Sequence, residues 1–281
     1  MDTVILLMVC PDGRGIVAKL TQLVFEMKGN IVDSHQYSTD PEGGQFFMRL
    51  EFCFDSMPER AALEAQIRPL AESLGANWQL HFSSVKPRMA VAVSKFDHCL
   101  VDILYRVRSG ELAVEIPIVF SNHDDLRSLV EGAGIPFMHI PISKETKAEK
   151  ENEILALVKL NSDFLVLARY MQVLSGDFLE RYGKDVINIH HSFLPSFKGA
   201  NPYQQAYDRG VKLIGATAHY VTTELDEGSI IEQTVGQVTH RDNPASLKRI
   251  GRSLEQQALA EAIRKHTSHR IIRYKNKTII F

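Results

Sequence analysis

Hydrophobic and polar positions in the first 84 residues follow patterns that change along the chain. Short apolar runs bounded by turn residues indicate strands, and apolar residues three and four positions apart indicate helices. The pattern predicts strands over residues 4–9, 31–37, 45–54 and 78–82, with helices over 16–27 and from Pro58 to near Gly75. The resulting order, strand-helix-strand-strand-helix-strand, is that of a split βαβ, ferredoxin-like domain.

From residue 89 onward, apolar runs and helical patterns alternate. Runs without strict two-residue alternation are typical of strands buried on both faces, so the pattern predicts a mostly parallel sheet covered by helices. The predicted strands are 89–93, 116–120, 137–139, 164–167 and 186–190, followed by a strand pair over 213–221 and 229–238. A long helix over 245–266 and a hairpin over 270–281 end the pattern. A linker-like stretch divides the chain into predicted domains 1–84 and 85–281.

The composition narrows the range of partners. Hydrophobic residues make up 44% and charged residues 23% of the chain, which is typical of a globular protein that buries a core. The formal net charge is −2 and no basic stripe is visible, so we expect no nucleic-acid partner. No stretch approaches the roughly 20 apolar residues of a membrane span, so we expect no membrane association. Cys10, Cys53 and Cys99 are too dispersed for a disulfide framework or a thiolate zinc site, which favours the cytoplasm.

A polar pair, Asn188 and His190, lies at the end of a predicted apolar strand. Side chains two positions apart share one face of a strand, and its carboxyl end opens onto the ligand crevice. An amide can stabilise an oxyanion and an imidazole can exchange a proton near neutral pH, which suits acyl chemistry. Asp226, in a turn before Gly228, is the candidate that orients His190. The alternative to a catalytic role is that His190 is an ordinary core histidine and Asp226 an ordinary turn aspartate. His190 and His191 together also suggest a metal site, but no metal-binding spacing supports one, and we predict no metal.

The sequence at 188–199, N-I-H-H-S-F-L-P-S-F-K-G, closely resembles the signature of the formyltransferase family, whose members use formyltetrahydrofolate. The resemblance continues through A-H-Y-V at 218–221 and D-E-G at 226–228, and it extends over about residues 89–266. It implies a Rossmann-like fold. It also implies that the amide, imidazole and carboxylate named above form a catalytic trio.

The same resemblance assigns substrate contacts. It implies a folate pocket along residues 169–174, with a loop over residues 222–225 that closes on the pterin. The candidate substrate-binding residues are Arg169, Tyr170, Met171, Val173, Leu174, Ser192, Lys198, His219, Thr222 and Leu225. For some of these residues a structural role remains the alternative to substrate binding. His219 could be a histidine packed within a strand, and Lys198 could be an exposed loop lysine. The apolar residues of the stretch 169–174 could be ordinary core residues.

The acceptor of the formyl group is not fixed by the trio. In the purine-pathway transferase, a glycine-rich loop after the first strand holds a phosphate. The matching residues 93–100 contain no glycine, and Asp97 would repel a phosphate. The tRNA-directed transferase has a further RNA-binding domain, for which the about 55 residues after Asp226 leave no room. We therefore expect water as the nucleophile, no cofactor, and hydrolysis of 10-formyltetrahydrofolate to tetrahydrofolate and formate. The alternatives are transfer to an unidentified amine and a non-catalytic, amino-acid-responsive folate-binding protein.

The turn D-G-R-G-I at residues 12–16 and the segment G-N-I at 29–31 resemble an ACT domain, a fold that often binds amino acids between paired copies. The resemblance implies a homo-oligomer, a dimer or tetramer, with glycine or methionine as effector. The candidate effector-binding residues are Asp12, Gly13, Gly15, Ile16, Asn30 and Ile31. A dimerisation module without a ligand is the alternative. An ACT domain ahead of this catalytic domain implies an enzyme that supplies formate for purine synthesis and balances one-carbon pools.

Overall fold

The computed structural model describes residues 2–40, 43–194 and 202–281, and the chain divides into two compact units. One unit consists of Met1–Lys86, Ser268–Tyr274 and Ile279–Phe281, and the other consists of Pro87–Thr267 and Lys275–Thr278. The division expected from the sequence assigned all of residues 85–281 to the second domain, whereas residues 85–86, 268–274 and 279–281 belong to the first unit.

The elements of the first unit follow the predicted order. They are β1 (Val4–Pro11), α1 (Ile16–Glu26), β2 (Asn30–Ser38), β3 (Gln45–Cys53), α2 (Arg60–Ser73) and β4 (Asn77–Phe82). The strand order is β2-β3-β1-β4, and β1 is antiparallel to both of its neighbours. Leu6 and Met8 of β1 pack with residues of both helices, whereas Ile5 and Leu7 face the other side of the sheet. The continuous apolar run of β1 therefore reflects burial on both faces.

The second unit is a mixed α/β domain with a mostly parallel sheet, as predicted. Its elements are β5 (Met89–Val93), α3 (His98–Arg108), β6 (Val119–Ser121), α4 (Arg127–Gly132), β7 (Phe137–His139), α5 (Lys147–Val158), β8 (Phe164–Leu167), α6 (Gly176–Tyr182), β9 (Val186–His190), α7 (Pro202–Asp208), β10 (Leu213–Tyr220), β11 (Ile230–Gln237) and α8 (Pro244–Thr267). The sequence pattern missed α6 and α7, because such short helices show no helical repeat. Among the helices of the described residues, none combines the length and the apolar character needed to cross a membrane.

The strand order of this sheet, β11-β10-β9-β8-β5-β6-β7, creates a switch point at β5. The chain passes from β5 to β6 and β7 on one side, and then returns to β8 and β9 on the other. These strands are parallel, whereas β10 is antiparallel to β9 and to β11. Carboxyl ends of strands beside a switch point border the ligand crevice in sheets of this kind. The segments that follow β5, β8 and β9 therefore form the edge where a site is expected.

The chain ends in a hairpin, β12 (Ile271–Tyr274) and β13 (Lys277–Ile280). Ile272 packs with Ile5 and Phe47 on the face of the first sheet that its two helices leave uncovered. This contact explains why most of the hairpin groups with the first unit, although the sequence places it after the second.

Candidate active site

The structure brings together the three residues predicted to carry the chemistry. Asn188 and His190 share one face of β9, at its carboxyl end. Asp226 lies between β10 and β11, in a turn where its own φ is 56°. The turn directs the Asp226 carboxylate at His190, and Oδ2 is 3.2 Å from Nδ1. An imidazole and a carboxylate therefore meet beside an amide.

His219 lies directly opposite Asn188 on the neighbouring strand β10. Its Nδ1 is 2.9 Å from the Tyr220 carbonyl oxygen, which can only accept, so Nδ1 carries the hydrogen. In a neutral ring Nε2 then accepts, and Asn188 Nδ2 donates to it at 3.3 Å. Asp226 Oδ1 is 3.6 Å from the same Nε2. His219 thus contacts both the amide and the carboxylate of the trio, and it does more than pack within the sheet.

Hydrogen bonding sets the charge and the tautomer of the His190–Asp226 pair. The hydrogen bond from His190 lowers the pKa of the Asp226 carboxyl well below its ordinary value of 3.8. The carboxylate is therefore ionised at neutral pH and accepts the hydrogen of His190 Nδ1. His190 Nε2 is buried and has no hydrogen-bond partner among the described residues. Because an unpaired buried polar atom costs about 1–3 kcal/mol, this nitrogen points to a partner that a ligand supplies.

Gly228 determines the turn that carries Asp226. A Cβ on Gly228 would lie 1.6 Å from the Tyr220 carbonyl oxygen, so only glycine fits this close approach. In Gly228→Ala we expect the turn to shift, with a loss of about 1–3 kcal/mol in stability and a lower Tm in thermal unfolding. Gly132→Ala is the matched control, since a Cβ there meets no described heavy atom within 4 Å. Equal Tm values for the two variants would contradict this account of the turn.

The predicted folate stretch, residues 169–174, divides between the surface and the core. Met171 and Val173 are 55% and 56% exposed. Tyr170 and Leu174 are buried in a hydrophobic cluster of the second unit. Of the apolar residues predicted to line the pocket, Met171 and Val173 are therefore the two whose side chains a pterin can reach directly.

The remaining predicted substrate contacts differ in their exposure. Thr222 and Leu225 are exposed, and the Thr222 hydroxyl donates to the Glu224 carbonyl oxygen, which bends the loop. Ser192 is buried, and its carbonyl oxygen accepts a hydrogen bond from a β10 side chain. Lys198 lies outside the described residues. The loop at 222–225 is thus open to a ligand, whereas Ser192 is covered.

An open cavity of about 560 Å³ borders the Asp226 turn. It is lined by Leu194, Asp226, Glu227, Gly228, Ile230, Asn276, Lys277 and Thr278. Within the described residues, this lining includes Asp226 but neither Met171 nor Val173. The cavity therefore brings solvent to the carboxylate of the trio from a side that the predicted folate stretch does not border.

A buried polar cluster that the sequence reasoning missed lies beside the trio. Glu255 of α8 is 2% exposed, and it accepts hydrogen bonds from Tyr203 Oη and His98 Nε2, each at 2.8 Å. Arg169, predicted to contact folate, turns its Nε to within 3.3 Å of this carboxylate. We call these four residues the Glu255 cluster. The signal that could have revealed it is a glutamate on the apolar face of the predicted helix 245–266.

The charges within the Glu255 cluster compensate one another. Burial on its own would raise the pKa of the Glu255 carboxyl, but the hydrogen bond from His98 and the charge of Arg169 hold it below its ordinary value. Burial and then the charge of Glu255 raise the pKa of Tyr203. Cys99 adds a third possible metal donor within 4.8 Å of His98 and Glu255. Because the Arg169 guanidinium already neutralises the carboxylate, these contacts favour an internal ion pair over a bound cation.

His191 links the trio to the Glu255 cluster. Its ring centroid lies 5.1 Å from that of His190 and 6.1 Å from that of Tyr203. Burial and then the charges of Arg169 and His190 lower the pKa of His191 from 6.5 to about 4, although two nearby carboxylates oppose the shift. The imidazole next to the catalytic candidate His190 is therefore neutral near pH 7.

This depressed pKa predicts how stability depends on pH. The unfolded chain protonates His191 near pH 6.5 and the native chain only near pH 4, so the unfolded chain binds more protons between these values. The stability linked to His191 is complete above pH 6.5 and is lost as the pH falls toward 4. We expect the Tm of the wild type to fall a few degrees more than that of His191→Gln across this window in thermal unfolding. Parallel Tm curves would remove His191 as the cause.

The predicted effector residues are divided between two ends of the first sheet. The turn at 12–16 follows the end of β1 that pairs with Gln45, whereas Asn30 and Ile31 open β2 at the level of Cys53. These ends are about 25 Å apart, at roughly 3.3 Å per strand residue. Within one chain, the two groups cannot share a ligand as small as an amino acid.

Known proteins resemble this chain over nearly its whole length. Residues 87–263 match the family described as formyl transferase. The formyltetrahydrofolate deformylase of Synechocystis sp. is 51% identical over 284 residues, which cover 99% of this chain and 98% of that protein. The crystal structure of a formyltetrahydrofolate deformylase from Pseudomonas syringae superposes with a TM-score of 0.96 at 44% identity, covering 100% of this chain and 95% of that one.

A more distant likeness covers a smaller part of the chain. A glycinamide ribonucleotide transformylase from Symbiobacterium toebii superposes with a TM-score of 0.66 at 28% identity. The match covers 72% of this chain and 98% of that one. The identity is 51% and 44% to the two deformylases over nearly the whole chain, and 28% to this transformylase over 72% of the chain. The chain therefore belongs to the formyltetrahydrofolate deformylase family.

Proposed function

We propose that this chain hydrolyses 10-formyltetrahydrofolate to tetrahydrofolate and formate, with water as the nucleophile and no cofactor. The observation that carries the proposal is the buried His190 Nε2, which lacks a partner among the described residues and lies on the strand face that holds the Asn188 amide. These groups supply a base for the attacking water and a donor for the oxyanion that forms. The names of the two deformylases described above support formyltetrahydrofolate as the substrate.

In the proposed mechanism, Asp226 fixes the tautomer of His190. The carboxylate accepts the Nδ1 hydrogen, which leaves Nε2 as the basic nitrogen. Nε2 takes a proton from water as the water oxygen attacks the formyl carbon, and Asp226 stabilises the imidazolium that forms. The proton then passes to the leaving N10 nitrogen of the folate. The C–N bond breaks, and tetrahydrofolate and formate are released.

Asn188 stabilises the oxyanion of the tetrahedral intermediate in this mechanism. Its amide nitrogen carries two hydrogens, and the bond to His219 uses one of them. The other is available to the formyl oxygen, with protonated His190 as a second donor. Because His219 Nε2 accepts from the nitrogen, a flip that presented the amide oxygen to the substrate would break this bond. His219 is thus a positioning residue that keeps the donor turned toward the substrate.

The pterin ring of the substrate is proposed to lie against the exposed side chains of Met171 and Val173. The loop at 222–225 would cover its other side, and its exposed Leu225 supports such a closure. Lys198 remains a proposed contact for the rest of the folate. Ser192 would act through its backbone position after β9, because its side chain is covered.

The assay that tests this function uses the purified chain and 10-formyltetrahydrofolate in a buffer without any amine. We expect formate and tetrahydrofolate in equal amounts, measured by an enzymatic formate assay and by the absorbance of the folates. A transferase would release neither product without its acceptor. A non-catalytic binding protein would retain the folate unchanged. Either result would refute hydrolysis.

A ferredoxin-like ACT domain is our proposal for the first unit. Its strand order β2-β3-β1-β4, with two helices in the predicted positions, supports this assignment. The turn at 12–16 and Asn30 lie at opposite ends of the sheet, so a shared effector would have to lie between two copies of the domain. We therefore propose a homo-oligomer, either a dimer or a tetramer, with the effector between two copies.

Calorimetry of the full chain with glycine and with methionine tests the regulatory part of this proposal. We expect saturable heat from one of the two amino acids, and none from an Asn30→Ala variant. Absence of heat from both would favour a dimerisation module without a ligand.

The proposed setting of the enzyme is the cytoplasm, where it would supply formate for purine synthesis and balance one-carbon pools. Cys10, Cys53 and Cys99 are buried free thiols. Unpaired cysteines are typical of proteins in reducing compartments, which supports this location.

A further inference from the structure

The Glu255 cluster occupies one side of the proposed catalytic centre, and its position bears on the choice of nucleophile. We propose that Arg169, His98, Tyr203 and Glu255 fill the space that an amine acceptor would need, so that water is the nucleophile that reaches the formyl carbon. This inference rests on the proposed hydrolysis. It makes Arg169 a specificity-determining residue for that reaction.

The cluster lies along the sheet edge that carries the trio. His98 begins α3 after β5, Arg169 follows the end of β8, and His191 follows the end of β9. The three strands are neighbours in the order β9-β8-β5, so these residues lie side by side at their carboxyl ends. That edge borders the ligand crevice in such sheets. The cluster therefore occupies the part of the crevice next to the trio.

The space at this edge is filled by packed side chains. The side chains of Glu255, Arg169 and His98 are 2%, 10% and 11% exposed. Tyr203 packs directly against the backbone of α8, because a Cβ built on Gly251 would lie 1.9 Å from Tyr203 Oη. The rings of His190, His191 and Tyr203 continue this packing up to the trio. In the proposed arrangement, a second substrate would have to displace a cluster side chain to approach the formyl carbon from this side.

The backbone conformation of Arg169 is unfavourable for a residue with a side chain, so contacts of the side chain must compensate for its cost. Its φ is 65°, in the left-handed region that costs a residue with a Cβ about 1–2 kcal/mol and that glycine adopts without this cost. The side chain reaches Glu255, and its guanidinium carbon also lies 5.5 Å from the centroid of the Phe96 ring. Glycine would suit the local backbone better, so the gain from arginine lies in the volume and charge that it places in the cluster.

The trio by itself does not choose between water and an amine. In hydrolysis, the water oxygen bonds to the formyl carbon, the C–N10 bond breaks, and the proton lost by water is gained by N10. In transfer, an amine nitrogen forms the new bond, and the same single proton passes from the amine to N10. Both reactions need one base and one oxyanion donor. The choice therefore depends on which nucleophile has room to reach the carbon.

Access to the trio is unequal on its two sides. The open cavity of about 560 Å³ borders Asp226. None of the described residues that line this cavity belongs to the Glu255 cluster. Solvent thus reaches the carboxylate of the trio, whereas the side chains of Glu255, Arg169 and His98 on the cluster side are at most 11% exposed.

The test measures how the formyl group is partitioned in an Arg169→Gly variant. Glycinamide, a small primary amine, is added at millimolar concentration to the full chain with 10-formyltetrahydrofolate, and N-formylglycinamide and formate are quantified. We expect the ratio of N-formylglycinamide to formate to rise at least tenfold over the wild type. If Arg169 has only a structural role, both products fall together, and an unchanged ratio would overturn the proposal.

The control is Arg252→Ala, because Arg252 also places its guanidinium near the Phe96 ring, at 5.8 Å, but is exposed and outside the cluster. Its product ratio should equal that of the wild type. Arg169→Gly could fail to fold because it leaves the Glu255 carboxylate without its arginine partner. In that case the Arg169→Gly/Glu255→Gln double variant removes the carboxylate charge, and its ratio of N-formylglycinamide to formate tests the proposal in the same way. Formate release by the wild type without amine tests the proposed hydrolysis separately. Its absence would refute that function, whatever the ratio.

Discussion

Replacing His190 with glutamine is expected to lower kcat for formate release by about 10³–10⁴-fold. Glutamine has a similar reach and can form hydrogen bonds, but it cannot take a proton from water near neutral pH. It also cannot become the cationic donor that the oxyanion needs. The loss is large because His190 Nε2 is buried and unpartnered among the described residues, so bulk water cannot replace it as a base.

Steady-state kinetics with 10-formyltetrahydrofolate measures this effect. His240→Gln is the matched control, since His240 is exposed and follows β11, and its kcat should stay within twofold of the wild type. Thermal unfolding shows whether His190→Gln retains its fold. A folded His190→Gln protein with kcat within tenfold of the wild type would remove His190 as the base.

The second large effect is expected in Asn188→Ala, with a loss of about 10²–10³-fold in kcat, the usual cost of removing one oxyanion donor. The donor acts mainly on the charge that develops in the transition state, so KM for the folate should change much less than kcat. His219 loses its amide partner in the variant but keeps its bond to the Tyr220 carbonyl, which preserves its orientation.

Asn161→Ala provides the control for an asparagine change away from the trio, because Asn161 donates to a carbonyl oxygen near the end of α5 and is exposed. Its kcat should be unchanged. A rise in KM at constant kcat for Asn188→Ala would show that the amide binds the ground state. Near-normal values of both constants would exclude Asn188 from the chemistry.

The sequence was sufficient to predict the mixed α/β fold and the meeting of the trio, for identifiable reasons. Two-residue alternation alone places Asn188 and His190 on one face of a strand. Gly228 marks a turn tight enough to return Asp226 to that face, and the structure shows the close approach that requires it. These features depend on local geometry, which a sequence displays directly.

Other features depend on contacts between distant segments, and the pattern gave little sign of them. The side chain of Arg169, which is predicted to contact folate, also turns to Glu255, which lies 86 positions later in the chain. The turn at 12–16 and Asn30, both predicted to bind the effector, lie at opposite ends of one sheet, a placement that only the strand pairing reveals. Hydrophobic periodicity identifies the elements, whereas strand order and buried polar pairing decide which of their residues meet.

Attack of water on the formyl carbon is the central claim of this account, and the oxygen isotope content of formate released in H₂¹⁸O tests it most directly. The purified wild type is mixed with 10-formyltetrahydrofolate in labelled water without amine, and the formate is analysed by mass spectrometry after a few turnovers. We predict one solvent oxygen in each formate molecule, at a rate that falls with kcat in His190→Gln. Formate without solvent oxygen, or a formyl group recovered on another molecule, would contradict hydrolysis by the trio.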